Sequence, residues 1–238
     1  MDFKIKANSV ESKEAIVQKP HFLIIGVNRC GTTAFYDLIC QHSKVKRATH
    51  KELGYFTFNH SNGMGWYLKQ FPICQQGEIT GEATPDYFWK DEQTPKEVKD
   101  SFPSIKLILL LRNPVARSYS NYQLSIRNRP SNDKTSFIEG FRAGKHKKPS
   151  LYSEYLKRWL IYFPLEEILI LTKEELGLNH SNVMEKFCKF MNIPYEVLPE
   201  VKNFSEYPDI SEEDFKEANE FFKPYNEELF SILGKRLW

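Results

Sequence analysis

The sequence predicts an α/β fold, a central parallel sheet flanked by helices. Three observations carry this reading. IKLILLL (105–111) and EEILILT (166–172) hold continuous apolar runs of strand length, the pattern of strands buried on both faces of a parallel sheet. Helical patterns separate the apolar runs, so strands and helices alternate along the chain. HFLIIG (21–26) runs into GVNRCGTT (26–33), which gives the strand, glycine loop and helix of a phosphate-binding turn.

The elements follow in order. HFLIIG is the first strand and 32–41 the first helix, whose N-terminal N–H groups and partial positive charge face the loop's ligand. VKRAT (45–49) reads as a strand, and HKELGYF (50–56) as a strand end or loop. GMGWYLKQF (63–71) is a short helix. GEITGEATPDYF (77–88) is a strand that breaks at Pro85. TPKEVKDSF (94–102) starts a helix with Thr94 as cap and Pro95 at the first position. After the 105–111 strand, Pro114 opens a helix through about Ile126, and 127–148 is basic and loop-rich. SLYSEYLKRWLIYF (150–163) is helical and EEILILT is a strand. SNVMEKFCKFMNI (181–193) is amphipathic, with Val183, Phe187, Phe190 and Met191 on one face. Ser211 and Asp214 form a capping-box pattern for a last helix, which Pro224 is expected to end or kink.

A chain of 238 residues fits one large domain or two small ones and can bury a substantial core. We read residues 1–20 as a polar lead-in and 21–238 as one domain. The longest apolar runs are far short of the roughly 20 residues that span a bilayer, so no transmembrane segment is expected. The first 20 residues lack the apolar core of a signal peptide. Cys30, Cys40, Cys74 and Cys188 are scattered without a CxxC pair, which argues against a zinc site and a dense disulfide framework. A reduced, cytoplasmic setting is expected, with no metal and no nucleic-acid partner.

Net charge is +2 but unevenly placed. Residues 112–148 hold nine Lys/Arg against Asp133 and Glu139, while 196–228 hold eleven Asp/Glu against three lysines. Two solvated faces would account for this, as would a basic channel for an anionic ligand.

The loop itself narrows the ligand. Gly26 and Gly31 have Walker A spacing, but Thr32 and Thr33 follow where lysine and Ser/Thr are usual, and the loop's cation is Arg29. ATP or GTP chemistry would want that lysine and an acidic metal partner. The strands instead run into Arg112 and Lys173. A kinase or NTPase is thus weakened, and a phosphosulfate donor becomes the stronger candidate. Such a donor needs a second cationic clamp for its 3′-phosphate, and LRNPVARSYSNY (111–122) offers Arg112 at a strand end and Ser120 about two turns into the next helix.

Residues 29–33 with Arg112 and Ser120 resemble the two cofactor motifs of the sulfotransferases that use 3′-phosphoadenosine 5′-phosphosulfate (PAPS). The likeness to the heparan sulfate (glycosaminoglycan) branch is wider. It takes in KELGYF, GMGWYLKQFP, GEATPDYF, SIKLILLLRNPVARSYSNYQ, YLKRWLIYFPLEEILIL and PYNEELFSILGKRLW, in order, over about 21–238. The resemblance implies the P-loop-like fold of these enzymes and transfer of a sulfuryl group from PAPS to a hydroxyl or amine. It implies that Arg29, Cys30, Gly31, Thr32 and Thr33 hold the 5′-phosphosulfate, and Arg112 and Ser120 the 3′-phosphate. Arg29, where relatives usually carry lysine, would also stabilise the leaving group. Glu52 matches the general base, and Lys51 beside it is a candidate contact to the acceptor or the sulfuryl group.

Two departures stand out. VKNFSEYPDI (201–210) lacks the cysteines and most of the cations of the corresponding hairpin and basic loop, and Ala83 replaces a substrate-side lysine. The acceptor is therefore expected to be a glycan or a small hydroxylated molecule, with the basic stretch pointing to an anionic one.

Plainer readings stand beside these. The two glycines also suit an ordinary strand-to-helix turn, and Glu52 a surface carboxylate. His50 is a second candidate for the base and for acceptor contact. A catalytically silent nucleotide-binding protein is the non-enzymatic alternative. Cys30 reads as a small packed residue. Trp66, Tyr67, Phe88 and Trp89 suit either the acceptor cleft or the core, and RAGKHKK (142–148) a solvated surface or an electrostatic attractant.

Overall fold

The structure is a computed structural model that describes residues 18–127, 130, 134–199 and 209–238. Most of the polar lead-in therefore lies outside the described residues. Five strands, β1 (Phe22–Gly26), β2 (Val45–Arg47), β3 (Ile79–Ala83), β4 (Lys106–Leu111) and β5 (Ile168–Thr172), form one parallel sheet in the order β2-β3-β1-β4-β5. Every residue of β1 and β3 is buried, as is all of β4 after Lys106. Burial on both faces is why β1 and β4 are apolar in near-continuous runs rather than alternating.

The helices are α1 (Thr32–Ile39), α2 (Met64–Leu68), α3 (Thr94–Ser101), α4 (Pro114–Ile126), α5 (Phe137–Arg142), α6 (Tyr152–Leu160), α7 (Lys173–Leu178), α8 (His180–Met191) and α9 (Glu212–Leu233). Phe187 of α8 meets Phe22 of β1 and Phe35 of α1 edge-on, at 5.9 and 5.8 Å, so α1 and α8 cover the same part of the sheet. A second apolar cluster joins α4, α5 and α9 through Val115, Phe137, Phe141, Ala218 and Phe222.

Some local expectations change. Gln93, not Thr94, occupies the N-cap position of α3, without a side-chain cap bond; the Thr94 hydroxyl instead donates to the buried carbonyl of Phe56 at 2.9 Å, which ties α3 to the 50–56 loop. The basic stretch is less loop-like than its composition suggests, because Ser136 and Glu139 form a full capping box that starts α5. Thr172 and Glu175 do the same for α7, a helix that the apolar periodicity hides. Ser211 caps α9 as expected, but Pro224 lies inside that helix without ending it. Buried Ala218 and Phe222 before it, and Leu229 and Phe230 after it, anchor the helix on both sides. That packing outweighs one missing N–H bond.

The strand order sets the functional edge. The chain leaves β1 toward β2 and β3 on one side, then crosses to β4 and β5 on the other. Connections diverge between β1 and β4, and the crevice at the carboxyl ends there is where such sheets bind ligands. Residues 27–31 follow β1 and Arg112 follows β4, so both candidate motifs open on that crevice.

Candidate active site

The glycine loop is shaped by close packing. A Cβ on Gly26 would lie 2.7 Å from the Phe88 Cβ, so no side chain fits there. Gly31 has φ 88° and serves as the cap of α1 without a side chain to bond the first-turn N–H groups. Those groups are thus left for a ligand. Arg29 also sits at positive φ, 71°, a conformation unfavourable for a side-chain-bearing residue unless its surroundings enforce it. Part of that enforcement comes from Arg117, which is fully buried in α4. Its Nε donates to the Asn28 carbonyl at 3.1 Å, Nη2 donates to the Asn28 side-chain oxygen, and Nη1 donates to the His146 carbonyl at 3.0 Å.

The two phosphate motifs touch. Arg29 Nε donates to Ser120 Oγ at 3.1 Å, and Arg112 Nη1 makes a long 3.5 Å contact to the Arg29 carbonyl. The loop cation is thereby turned toward the hydroxyl expected to serve the other phosphate. Asn113 caps α4 by accepting from Val115 N and Ala116 N, which fixes the turn between Arg112 and Ser120. Tyr152 OH donates to the Arg112 carbonyl at 3.0 Å and lies 3.7 Å from Cys30 Sγ. Cys30 is fully buried, and burial pushes its thiol up to about 11. It is a packing residue rather than a nucleophile.

Glu52 comes to the same edge by another route. It follows β2 in the 50–56 loop, with φ 62°. Three consecutive N–H groups suspend this loop from the end of β3. Glu52 N donates to the Ala83 carbonyl at 3.0 Å, Leu53 N to Glu82 Oε2 at 3.3 Å, and Gly54 N to Thr84 Oγ1 at 3.0 Å. Its side chain is 58% exposed, and Lys51 Nζ donates to Glu52 Oε1. The structure therefore gives Lys51 a partner in Glu52 itself. His50 Nδ1 is 3.0 Å from Thr49 Oγ1, and that hydroxyl donates to Gln70 Oε1, so the ring is engaged away from Glu52.

The residue that sequence reasoning missed is Glu82. It is a fully buried carboxylate that accepts from Tyr67 OH at 3.0 Å, Tyr87 OH at 2.7 Å, Thr84 Oγ1 at 2.6 Å and Leu53 N. Burial raises its pKa, and these four bonds offset only part of that rise. In sequence it is one glutamate in GEATPDYF, and only its place inside an apolar strand could have marked it. Tyr67 and Phe88 are core residues, so neither lines an acceptor cleft; Trp66 and Trp89 are only partly buried against the core.

The basic stretch is partly used internally. Arg117 is committed to the loop. Arg142 makes a two-pronged pair with Glu217 of α9, at 2.8 and 2.5 Å, so the basic and acidic blocks meet. Lys147 lies over the rings of Phe141 and Phe221, at 4.3 and 4.2 Å. RAGKHKK is thus more than a solvated run. Arg129, also in the basic stretch, falls outside the described residues.

Taken together, the carboxyl edge carries a glycine loop at a helix N-terminus, two arginines and a serine at that loop, and an exposed carboxylate. These parts suit a doubly anionic nucleotide and a group transfer.

Comparison with known proteins gives a family. The model described as a sulfotransferase domain matches residues 19–223. The human heparan sulfate glucosamine 3-O-sulfotransferase 5 is 25% identical, with 96% of this chain and 76% of that protein covered. The human bifunctional heparan sulfate N-deacetylase/N-sulfotransferase 3 is 30% identical, with 76% of this chain and 23% of that protein covered. Among solved structures, a sulfotransferase from Alicyclobacillus acidocaldarius has a TM-score of 0.80 at 22% identity, covering 93% of this chain and 98% of its own. A mouse sulfotransferase solved in complex with PAP has a TM-score of 0.51 at 16% identity, covering 85% of this chain and 63% of its own.

Proposed function

This chain belongs to the sulfotransferase domain family, and on that premise we propose that it moves a sulfuryl group from PAPS to a hydroxyl or amine of an anionic glycan. The premise displaces the kinase and NTPase reading. The observation that carries the donor assignment is the contact between the two phosphate motifs, Arg29 to Ser120 and Arg112 to the loop carbonyl, at the β1–β4 crevice. PAPS, when bound, supplies the activated sulfuryl group. The N–H groups at the start of α1 and Arg29 hold the 5′ side, and Arg112 and Ser120 hold the 3′-phosphate. Glu52 accepts the acceptor's proton. Arg29 stabilises the charge that develops on the leaving phosphate oxygen.

The test is direct. Adenosine 3′,5′-bisphosphate is expected to bind about tenfold or more tightly than adenosine 5′-phosphate, because charge-assisted bonds contribute roughly 1.5–3 kcal/mol each. Calorimetry that gives the two nucleotides equal affinity sinks the assignment. Turnover with PAPS separates an enzyme from a silent binding protein.

The glycan acceptor is supported by the names of the relatives and by further cations in the basic stretch, Lys134, Lys145 and Lys148 among the described residues. Attraction by such charges weakens as salt shortens the screening length to about 8 Å. The kcat/KM for an acidic polysaccharide is expected to fall with salt, and to fall less steeply once Lys145 and Lys148 are neutralised. Equal salt dependence in both proteins, with neutral acceptors preferred, would reduce the stretch to surface. We also propose a cytoplasmic setting; four free thiols support it, and a thiol count on native protein tests it.

A further inference from the structure

Lys173 has no part in the chemistry above. It is the first residue of α7, directly after β5, and β5 pairs with β4. It therefore stands at the same carboxyl edge as Arg112, one strand over. Its stem lies over the phosphate loop, since a Cβ on Gly31 would be 3.6 Å from Lys173 Cγ. Lys173 and Arg112, with Glu174, Gly177 and Leu178, line a cavity of about 350 Å³. Asn113 N donates to Glu174 Oε1 at 3.2 Å, which fixes the start of α7 against the end of β4.

Positive charge gathers in this corner. Burial lowers the Lys173 pKa, and Arg112 and Arg29 lower it further, against the pull of Glu174. Three cations held together in a half-buried crevice repel one another, and an anion among them relieves that repulsion.

We propose that Lys173 is a third cation of the nucleotide site, gripping together with Arg112 the 3′-phosphate of the bisphosphate nucleotide. This rests on the reading of the crevice as a PAPS site and adds to it a residue that sets nucleotide affinity.

Calorimetry on the full chain tests it, with adenosine 3′,5′-bisphosphate and adenosine 5′-phosphate as probes. Lys173→Met keeps the apolar stem and removes the charge. It is expected to weaken the bisphosphate by about 10- to 100-fold, the span of one charge-assisted bond, and to leave the monophosphate unchanged. Lys173→Arg should restore most of the loss. Lys173→Gln replaces the methionine variant should that one melt early. An unchanged bisphosphate affinity overturns the proposal. So does an equal loss for both nucleotides, or an arginine variant as weak as the methionine one, since either outcome points to packing. If the unaltered chain binds neither nucleotide, the site reading itself fails and the Lys173 role goes with it.

Discussion

Glu52→Gln is expected to lower kcat by about 10²–10⁴, the usual worth of a positioned proton acceptor, with bisphosphate affinity little changed. The substitution preserves size, and the backbone bond from Glu52 N to the Ala83 carbonyl does not depend on the side chain. The loop should therefore stay in place while the carboxylate is lost. Lys51 makes the experiment sharper, because it donates to Glu52 Oε1. Lys51→Met frees that oxygen and leaves the carboxylate intact, so it should cost less than Glu52→Gln. Single-turnover kinetics separate the chemical step from nucleotide binding. If His50→Ala were inactive while Glu52→Gln kept its turnover, the base would be the histidine.

Arg29→Ala is expected to lower kcat by about 10²–10³, the range for one removed donor at a developing charge. Bisphosphate affinity should fall less, by about tenfold, because Arg29 is worth most when charge grows on the leaving oxygen. Arg29→Lys should regain much of the rate, since a point charge suffices there. It should not regain all of it. The guanidinium's Nε bond to Ser120 at 3.1 Å uses a fork geometry that an ammonium does not reproduce. The Arg117 clamp on Asn28 is unaffected by either change, so the loop remains shaped for ligand. Unchanged turnover in Arg29→Ala would remove Arg29 from the mechanism.

Much of this is legible in the sequence. Four of the five strands announce themselves by unbroken apolar runs or by an abrupt proline, and β2 by its position before the 50–56 loop. Gly26, Gly31, Arg112 and Ser120 stand at spacings that a strand, loop and helix convert into one crevice. The missed parts share a cause. Short helices α5 and α7 rest on capping boxes that local hydrogen bonding makes, and six residues carry too little periodicity to be noticed. Pro224 misleads because propensity is weak beside the packing of Phe222 and Leu229.

The charged residues divide along the same line. Sequence alone determined the parallel α/β sheet, the glycine loop and the identity of the residues that meet it, because periodicity, glycine spacing and strand ends are local properties of the chain. Tertiary structure decided which charges remain for a ligand. Arg117, Arg142 and Lys147 look alike in the basic stretch, yet one is buried on Asn28, one is paired with Glu217 and one lies over two phenylalanine rings. Glu82 and Glu52 are both lone glutamates in sequence, yet one is sealed under two tyrosines and the other reaches solvent. A charge's role depends on burial and on partners far along the chain, 91 residues apart for Arg29 and Ser120, and only the folded chain brings those together.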